Sequence, residues 1–410
     1  MKRHRIALIG GGPRGINLLR EMTSDGRRAR LVAIAELRQD RLENCRQAFD
    51  LPSSSYFHDY NDLLAHRHKL NFDAVVIATN VASHAEIACA SLEAGVPIYL
   101  EKPMAMTIEQ ARKIVKLAEQ TDVPVQVGFN MRYAPFFIKA HDLVTSEEIG
   151  AILSIEWAEI IGPRHWADGY CRRPSYGMRA SVGSWLLEKS CHDMDQLAWL
   201  IGSPCKRVAS FGSRSYFIQR DDVPAKCSER CPRYSRCIWK ADVSGKGAAS
   251  HLRPEEREVC IFHTQSDIVD HQNAVLEFEG GTLASFNLNP LGVPERRYFT
   301  IYGVDGIIYG DTSTNQICLR KASSDVEVIY KPGGGEGGHF GADTRIARAF
   351  LDLLDNPKNL PKTGVREGFE AVLMACAIDA ARHENRVVEL DEYRKGLLNP
   401  LGRNVICSVR

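Results

Sequence analysis

The first 130 residues alternate short apolar runs with longer amphipathic stretches. Runs at Arg5–Ile9, Leu31–Ala35, Ala74–Ala78, Ile98–Leu100 and Val125–Val127 consist largely of Ile, Val, Leu and Ala. They lack polar alternation, which is the pattern of strands buried on both faces. Helical stretches lie between them. "HAEIACASLEAG" closes at Gly95, a C-terminal cap, and "TIEQARKIVKLAEQ" opens with Thr107 and carries Gln110 three residues on, a capping box. Strand–helix alternation with short connections predicts a parallel sheet with helices on both faces.

From about Ile152 to Glu327 the apolar period becomes two, as in "NAVLEFEGGTLASFNLN" and "YFTIYGVDGIIYG". Turn-like breaks fall at Glu279-Gly280-Gly281 and Val304-Asp305-Gly306. This predicts an antiparallel sheet with one face polar or used as an interface. "KPGGGEGGHF" at Lys331–Phe340 is a glycine-rich connector, followed by helical segments around Thr344–Leu354 and Arg366–His383. The expected organisation is α/β. It has a dinucleotide-binding Rossmann domain at 1–130 and an α+β domain at 131–390 on a large, open, mainly antiparallel sheet. A cysteine-containing insertion falls at about 218–262 and a tail at 391–410.

Composition narrows the partners. The chain has 410 residues and a formal net charge of +1. Balanced charge gives no electrostatic case for nucleic acid or an anionic membrane surface. No apolar stretch approaches the roughly 20 residues a membrane helix needs. The apolar run after "MKRHR" stops at Ile9, too short for a secretory signal. A soluble, cytoplasmic protein is expected.

"RIALIGGGPRGINLL" places Gly10, Gly12 and Gly15 in G-x-G-x-x-G spacing after a strand and at the start of a helix. Gly10 permits the tight turn, Gly12 lets backbone approach a pyrophosphate, and Gly15 lets helix and strand pack closely. Pro13 suits the first helical turn, and with Arg14 it lies where unpaired N–H groups and the helix dipole favour phosphate. Glu36 ends the second strand, where an acid binds ribose hydroxyls and favours NAD. Arg38 and Arg41 follow, so NADP stays open. Thr79 and Asn80 end a later strand, where ligands of open parallel sheets bind. His84, four residues beyond Asn80, either caps the next helix or lines the cofactor cleft.

Glu101 and Lys102 end the strand Ile98–Leu100, ahead of Pro103. A lysine there points toward the same crevice. Free lysine titrates near about 10.4. Partial desolvation beside a cationic nicotinamide lowers that value and suits a proton carrier. A second constellation lies in "SWLLEKSCHDMDQLAWLIG", a helix from about Trp185 to Leu200. Leu187, Cys191, Met194, Ala198 and Ile201 form an apolar stripe, and Glu188, His192 and Asp195 a polar one. A carboxylate one turn from an imidazole orients it and raises its basicity.

"GGGPRG", "ATNVASHAE", "AGVPIYLEKPMA", "VGFNMRYAP" and "LLEKSCHDMDQLAWLIG" together resemble the glucose–fructose oxidoreductase / inositol dehydrogenase (Gfo/Idh/MocA) family over nearly the whole chain. The "EKSCH" helix and a cysteine cluster point to one sub-branch. The resemblance implies an NAD(P)-dependent oxidoreductase acting on a secondary hydroxyl of a sugar, glycoside, aminosugar or cyclitol. It also implies a homodimer or homotetramer formed through the open sheet. It assigns Lys102 a catalytic and substrate-orienting role, and His192 carries over as a site residue; either of the two takes the proton, with His192 favoured as base and Lys102 polarising the oxygen. Glu188 stands where the family usually has Asp, and Lys189 has no usual counterpart. Asn130, Arg132 and Tyr133 match a segment bordering nicotinamide and substrate. Arg164, His165 and Trp166 lie in a loop placed to wall the pocket, with a core position the alternative for Trp166. Two alternatives stay open at this level: a redox-neutral glycoside-cleaving enzyme that oxidises transiently, and a non-catalytic dinucleotide sensor.

The chain holds 12 cysteines, most of them scattered. In a cytosolic chain these are thiols or a local metal site sooner than a disulfide framework. "CSERCPRYSRC" supplies Cys227, Cys231 and Cys237, with Cys260 further on. A four-sulfur set would hold structural zinc and staple an insertion lacking its own core; free or disulfide-bonded thiols are the alternative, and the favoured one.

Overall fold

The computed structural model describes residues 2–227, 230–244, 249, 252–334, 341–395 and 397. Most of the glycine-rich connector (335–340) and most of the expected C-terminal tail lie outside the described residues.

The chain forms two compact units. One comprises Met1–Ile138 and Gly333–Leu373 with the described residues of Tyr393–Arg410; the other comprises Lys139–Pro332 and Met374–Glu392. The first unit therefore reclaims sequence from far beyond its own sheet. The helix Ala342–Asp355 belongs to it, with Gln126 Nε2 donating to Ile346 O at 2.9 Å.

The first unit is built on β1 (His4–Ile9), β2 (Ala29–Ala35), β3 (Tyr56–Phe57), β4 (Ala74–Ile77), β5 (Ile98–Leu100) and β6 (Val125–Val127). All pairings are parallel, in the order β3-β2-β1-β4-β5-β6. β4, β5 and β6 are fully buried, as their unalternating apolar runs require. The capping box forms as expected, with Thr107 Oγ1 accepting from Gln110 N. This order puts β1 and β4 side by side, and the glycine loop after β1 and the ends of β4 and β5 fall along one edge of the sheet.

The second unit is built on β7 (Ile152–Ile160), β8 (Cys205–Ser213), β9 (His271–Phe278), β10 (Leu283–Asn289), β11 (Arg296–Gly303), β12 (Gly306–Asp311), β13 (Gln316–Lys321), β14 (Glu327–Tyr330) and β15 (Val388–Glu389). Their order is β14-β13-β12-β11-β7-β10-β9-β8-β15. Every pair is antiparallel except β7 with β10. One face carries Trp157, Phe286, Phe299 and Ile301, all buried under the helix Trp185–Ile201 and its neighbours. The other face bears exposed Phe211, Val275, Leu283 and Ile329.

The insertion is where expectation and structure part. Cys227, Cys231, Cys237 and Cys260 do line one small cavity, with Arg172 and Trp239. However, no three His, Cys, Asp or Glu side chains among the described residues approach closely enough to hold a metal, and the four are free thiols. Nor does the insertion lack a core. Phe217 lies 4.5 Å from Trp166 and 4.6 Å from Trp239 between ring centroids, and Phe262 stacks on Phe217 at 5.7 Å. Buried Arg172 ties this cluster together, pairing with Asp168 and donating to the carbonyls of Val259 and Trp239. Large aromatic surfaces bury more area per residue than any other side chain, so a few suffice to hold an irregular segment.

Candidate functional site

On the first unit, the site begins at the glycine loop. Gly10 has φ +101, and a Cβ there would stand 2.6 Å from Ala78 O. At Gly15 it would stand 2.4 Å from Gly10 O, whereas at Gly12 nothing comes nearer than Arg41 Nη1 at 3.5 Å. The loop is therefore tight on its sheet side and open on the side where a pyrophosphate would lie, so these residues fit a dinucleotide. Gly10→Ala should weaken NAD binding by at least about tenfold, because the added methyl has only backbone to displace. Equilibrium dialysis against NAD checks this; unchanged affinity refutes it.

Glu36 is buried at the end of β2, and its carboxylate accepts from Gly11 N at 2.7 Å and Arg38 N at 2.9 Å. It thus sits against the loop, where a ribose acceptor is needed. The Arg38 side chain pairs with Asp40 in solvent. Asn80 caps the helix Val81–Glu93, its Oδ1 accepting from Ala82 N at 3.0 Å, while Thr79 Oγ1 takes a bond from Ser83 at 2.8 Å.

His84 does not cap the helix, a role that Asn80 fills. It is fully enclosed, with Nδ1 2.8 Å from Pro103 O and Nε2 3.2 Å from Thr79 O. Burial lowers its pKa, and the contacts with the Pro103 and Thr79 carbonyls act in the opposite sense. His84 therefore braces the segment carrying Lys102.

Glu101 is similarly built in. Its Oε1 accepts from Arg14 Nε at 2.7 Å and its Oε2 from Lys102 N at 3.1 Å. Arg14 also donates to Asp343 Oδ1 at 2.8 Å, and Asn130 Nδ2 donates to the same oxygen at 2.8 Å. Arg14 and Asn130, expected at the cofactor, are thus joined to Glu101 in one network. Asp343, which sequence reading did not single out, is its centre. Arg132 and Tyr133 are buried on the turn Asn130–Tyr133, with Arg132 Nη1 donating to Lys362 O at 3.1 Å. Lys102 itself is half-buried.

On the second unit, the helix Trp185–Ile201 forms as the spacing predicts. Ser184 caps it by accepting from Leu187 N at 3.0 Å, and Gly202 closes it at φ 72. Glu188 and Asp195 are buried and His192 half-buried. Trp166 is 0% exposed and packs in the aromatic cluster, so it does not line a pocket; its loop neighbour His165 reaches the surface. Two acids outside the polar stripe are also spoken for. Asp270 Oδ2 accepts from the N–H groups of Ser215, Tyr216 and Phe217, and Asp267 Oδ1 from Arg179 N.

Behind the polar stripe lies a charge cluster that sequence reading missed. Asp193 accepts from Arg297 Nε at 2.7 Å and from Trp157 Nε1 at 2.8 Å. Arg297 also pairs with Glu159 at 2.5 Å, and Lys189 Nζ lies 3.3 Å from Glu159 and 3.7 Å from Glu295. Burial pushes Glu159 up to about 7 despite Arg297 and Lys189. A carboxyl raised in the folded state contributes stability that is full below its unfolded pKa and lost as pH rises through about 7. Wild type should therefore lose melting temperature relative to Glu159→Gln between pH 5 and pH 8. Calorimetry at the two values checks it, and parallel curves refute it.

The comparisons with known proteins now bear on this geometry. Residues 4–129 match the oxidoreductase family with an NAD-binding Rossmann fold, GFO_IDH_MocA, and residues 137–309 match its C-terminal domain. The chain belongs to the Gfo/Idh/MocA family. It is 26% identical to the YteT protein of Bacillus subtilis over 336 residues, covering 75% of this chain and 77% of that one. It is 30% identical to inositol 2-dehydrogenase of Corynebacterium glutamicum over 200 residues, which is 48% of this chain and about half (54%) of that one. In fold it matches levoglucosan dehydrogenase in complex with NADH, with TM-score 0.74 and 19% identity over 95% of this chain and 99% of that one. It also matches the WlbA dehydrogenase of Bordetella pertussis in complex with NADH and UDP-GlcNAcA, with TM-score 0.70 and 20% identity over 95% and 99%. Among the described residues no helix is long and apolar enough to cross a membrane.

Proposed function

We propose that this oxidoreductase transfers hydride between NAD and a secondary hydroxyl of a sugar or cyclitol. The carrying observation is Lys102, whose backbone N–H is held by the buried, Arg14-paired carboxylate of Glu101 at the end of a parallel strand. Bound NAD supplies the hydride acceptor. Glu36, placed against the glycine loop, favours NAD over its 2′-phosphorylated form. In this reading Lys102 polarises the substrate oxygen and His192 accepts the hydroxyl proton. Glu188, one turn before His192, favours the charged imidazole. Inositol and levoglucosan dehydrogenases among the relatives support a polyol substrate. The test is reduced-nicotinamide absorbance over D-glucose, myo-inositol, levoglucosan and D-glucuronate. Turnover of none of these with NAD refutes the reading.

The exposed face of the nine-stranded sheet is proposed as the oligomer interface. Phe211 and Val275 are 78% and 56% exposed on adjacent antiparallel strands, and their register puts them on one face with Leu283. Contiguous apolar surface of this kind marks an interaction site. A Phe211→Asp/Val275→Lys variant should sediment as a monomer where wild type sediments as a dimer or tetramer. A monomeric wild type sinks the proposal.

A further inference from the structure

The cluster around Lys189 ends at the surface in an imidazole that the proposed reaction leaves unused. After β7 the chain turns at Gly162 into the short helix Pro163–Trp166, which carries His165. His165 Nδ1 lies 2.9 Å and 3.2 Å from the two oxygens of Glu295. Glu295 is fixed in turn, because its Oε2 accepts from Gly162 N at 3.1 Å and its Oε1 faces Lys189 Nζ at 3.7 Å. Lys189 lies three residues before His192, one helical turn away on the same helix. The imidazole is thereby tied through two side chains to the turn that carries the proposed proton acceptor.

A ring nitrogen facing both oxygens of an ionised carboxylate carries the proton, which leaves the other nitrogen as an acceptor. Burial lowers the pKa of His165, Lys189 and Arg297 lower it further, and the Glu295 carboxylate acts in the opposite sense. Glu295 is held down at about 2 against its own burial by the His165 contacts and the Lys189 charge. The side chains of His165 and Glu295 are 39% and 41% exposed, so a ligand can reach them. No described residue hydrogen-bonds His165 Nε2.

The two cations of the cluster are consumed behind this edge. Lys189 is 12% exposed between Glu159 and Glu295, and Arg297 lies between Asp193 and Glu159. His165 and Glu295 present an imidazole and a carboxylate at this edge, and the neighbouring Arg164 is paired with Asp168 and donates to Lys240 O. Such an edge rewards hydroxyl donors and repels anions.

We propose that His165, oriented by Glu295, accepts a hydrogen bond from a substrate hydroxyl other than the one oxidised, and that this acceptor edge selects uncharged polyols over sugar acids. The proposal rests on the dehydrogenase reading and adds a specificity determinant to it.

The test uses the full-length protein. With whichever neutral polyol the wild type oxidises best, His165→Phe should raise KM about tenfold and change kcat less than about threefold. His165→Gln, whose amide oxygen can stand near the Nε2 position, should recover most of that loss. Glu295→Gln should raise kcat/KM for D-glucuronate relative to D-glucose by about tenfold, which a purely structural role would not do. Long-range 1H–15N spectra of 15N-histidine-labelled protein at pH 7 should show His165 neutral with the proton on Nδ1. They should also show a shift at Nε2 when myo-inositol is added.

Unchanged KM in a folded, NAD-binding His165→Phe variant overturns the proposal. So does a charged ring, or a proton on Nε2. Absence of wild-type turnover sinks the dehydrogenase reading instead. The Nε2 shift then decides His165 separately, its presence supporting the contact and its absence overturning it.

Discussion

Lys102→Ala should lower kcat by two to four orders of magnitude while leaving NAD affinity within about threefold. The split follows from how the segment is built. Glu101 N donates to Ile77 O at 2.9 Å, Gly128 N donates to Leu100 O at 2.8 Å, and His84 holds Pro103 O. None of these bonds involves the lysine side chain, so its removal leaves the backbone at the strand end in place. The glycine loop and Glu36 lie on β1 and β2 and keep their own bonds. On the proposed reading, what disappears is one ammonium group at the reacting oxygen. Removing a group that acts only in the transition state lowers kcat and kcat/KM together. Lys102→Arg should rescue little, since a planar guanidinium cannot take the place of a compact ammonium. Stopped-flow or steady-state absorbance on the best polyol, beside dialysis with NAD, decides it. Turnover within tenfold of wild type would remove Lys102 from the chemistry.

How much of this was legible in the sequence depends on the range over which each feature is encoded. The strands at Ile98–Leu100 and Val125–Val127 appear at their expected residues, and the helix from Trp185 ends one residue beyond its expected end. Apolar period and caps are local signals. β3 was not foreseen, because two residues, Tyr56 and Phe57, are too few to show a period. The parallel pairing of β7 with β10 was equally hidden, since alternation does not report strand direction. Glu101 and Lys102 were conspicuous as charges at a strand end. Asp343 was not, because it contacts Asn130 across 213 residues of sequence. The insertion misled in the other direction. Four cysteines at near-metal spacing drew attention, whereas the aromatic side chains that hold the segment, Phe217, Trp239 and Phe262, are spread over it without a period.

Asp193→Ala should strongly destabilise the second unit, because Asp193 adjoins His192 but faces the sheet. It is fully buried, and it receives Arg297 from β11 and the Trp157 indole from β7. The helix that presents Glu188 and His192 is thereby fastened to two adjacent strands at one carboxylate. Asp193→Ala leaves Arg297 with Glu159 as its remaining partner in this cluster and removes the carboxylate that accepts from the Trp157 N–H. Removing one member of a buried ion pair costs about 3–5 kcal/mol, because the other charge stays desolvated. A domain of this size loses about 2–4 °C per kcal/mol, so the melting temperature should fall by roughly 10 °C. Asp193→Asn should fall between the two, since an amide oxygen still accepts from Trp157 but carries no charge. The double variant Asp193→Leu/Arg297→Met should recover much of the loss, as an apolar pair of similar volume replaces a buried ion pair at little net cost. Differential scanning calorimetry on the four proteins distinguishes the cases. A single variant that melts within one or two degrees of wild type, or a double variant no more stable than Asp193→Ala, would show that the helix is fastened elsewhere.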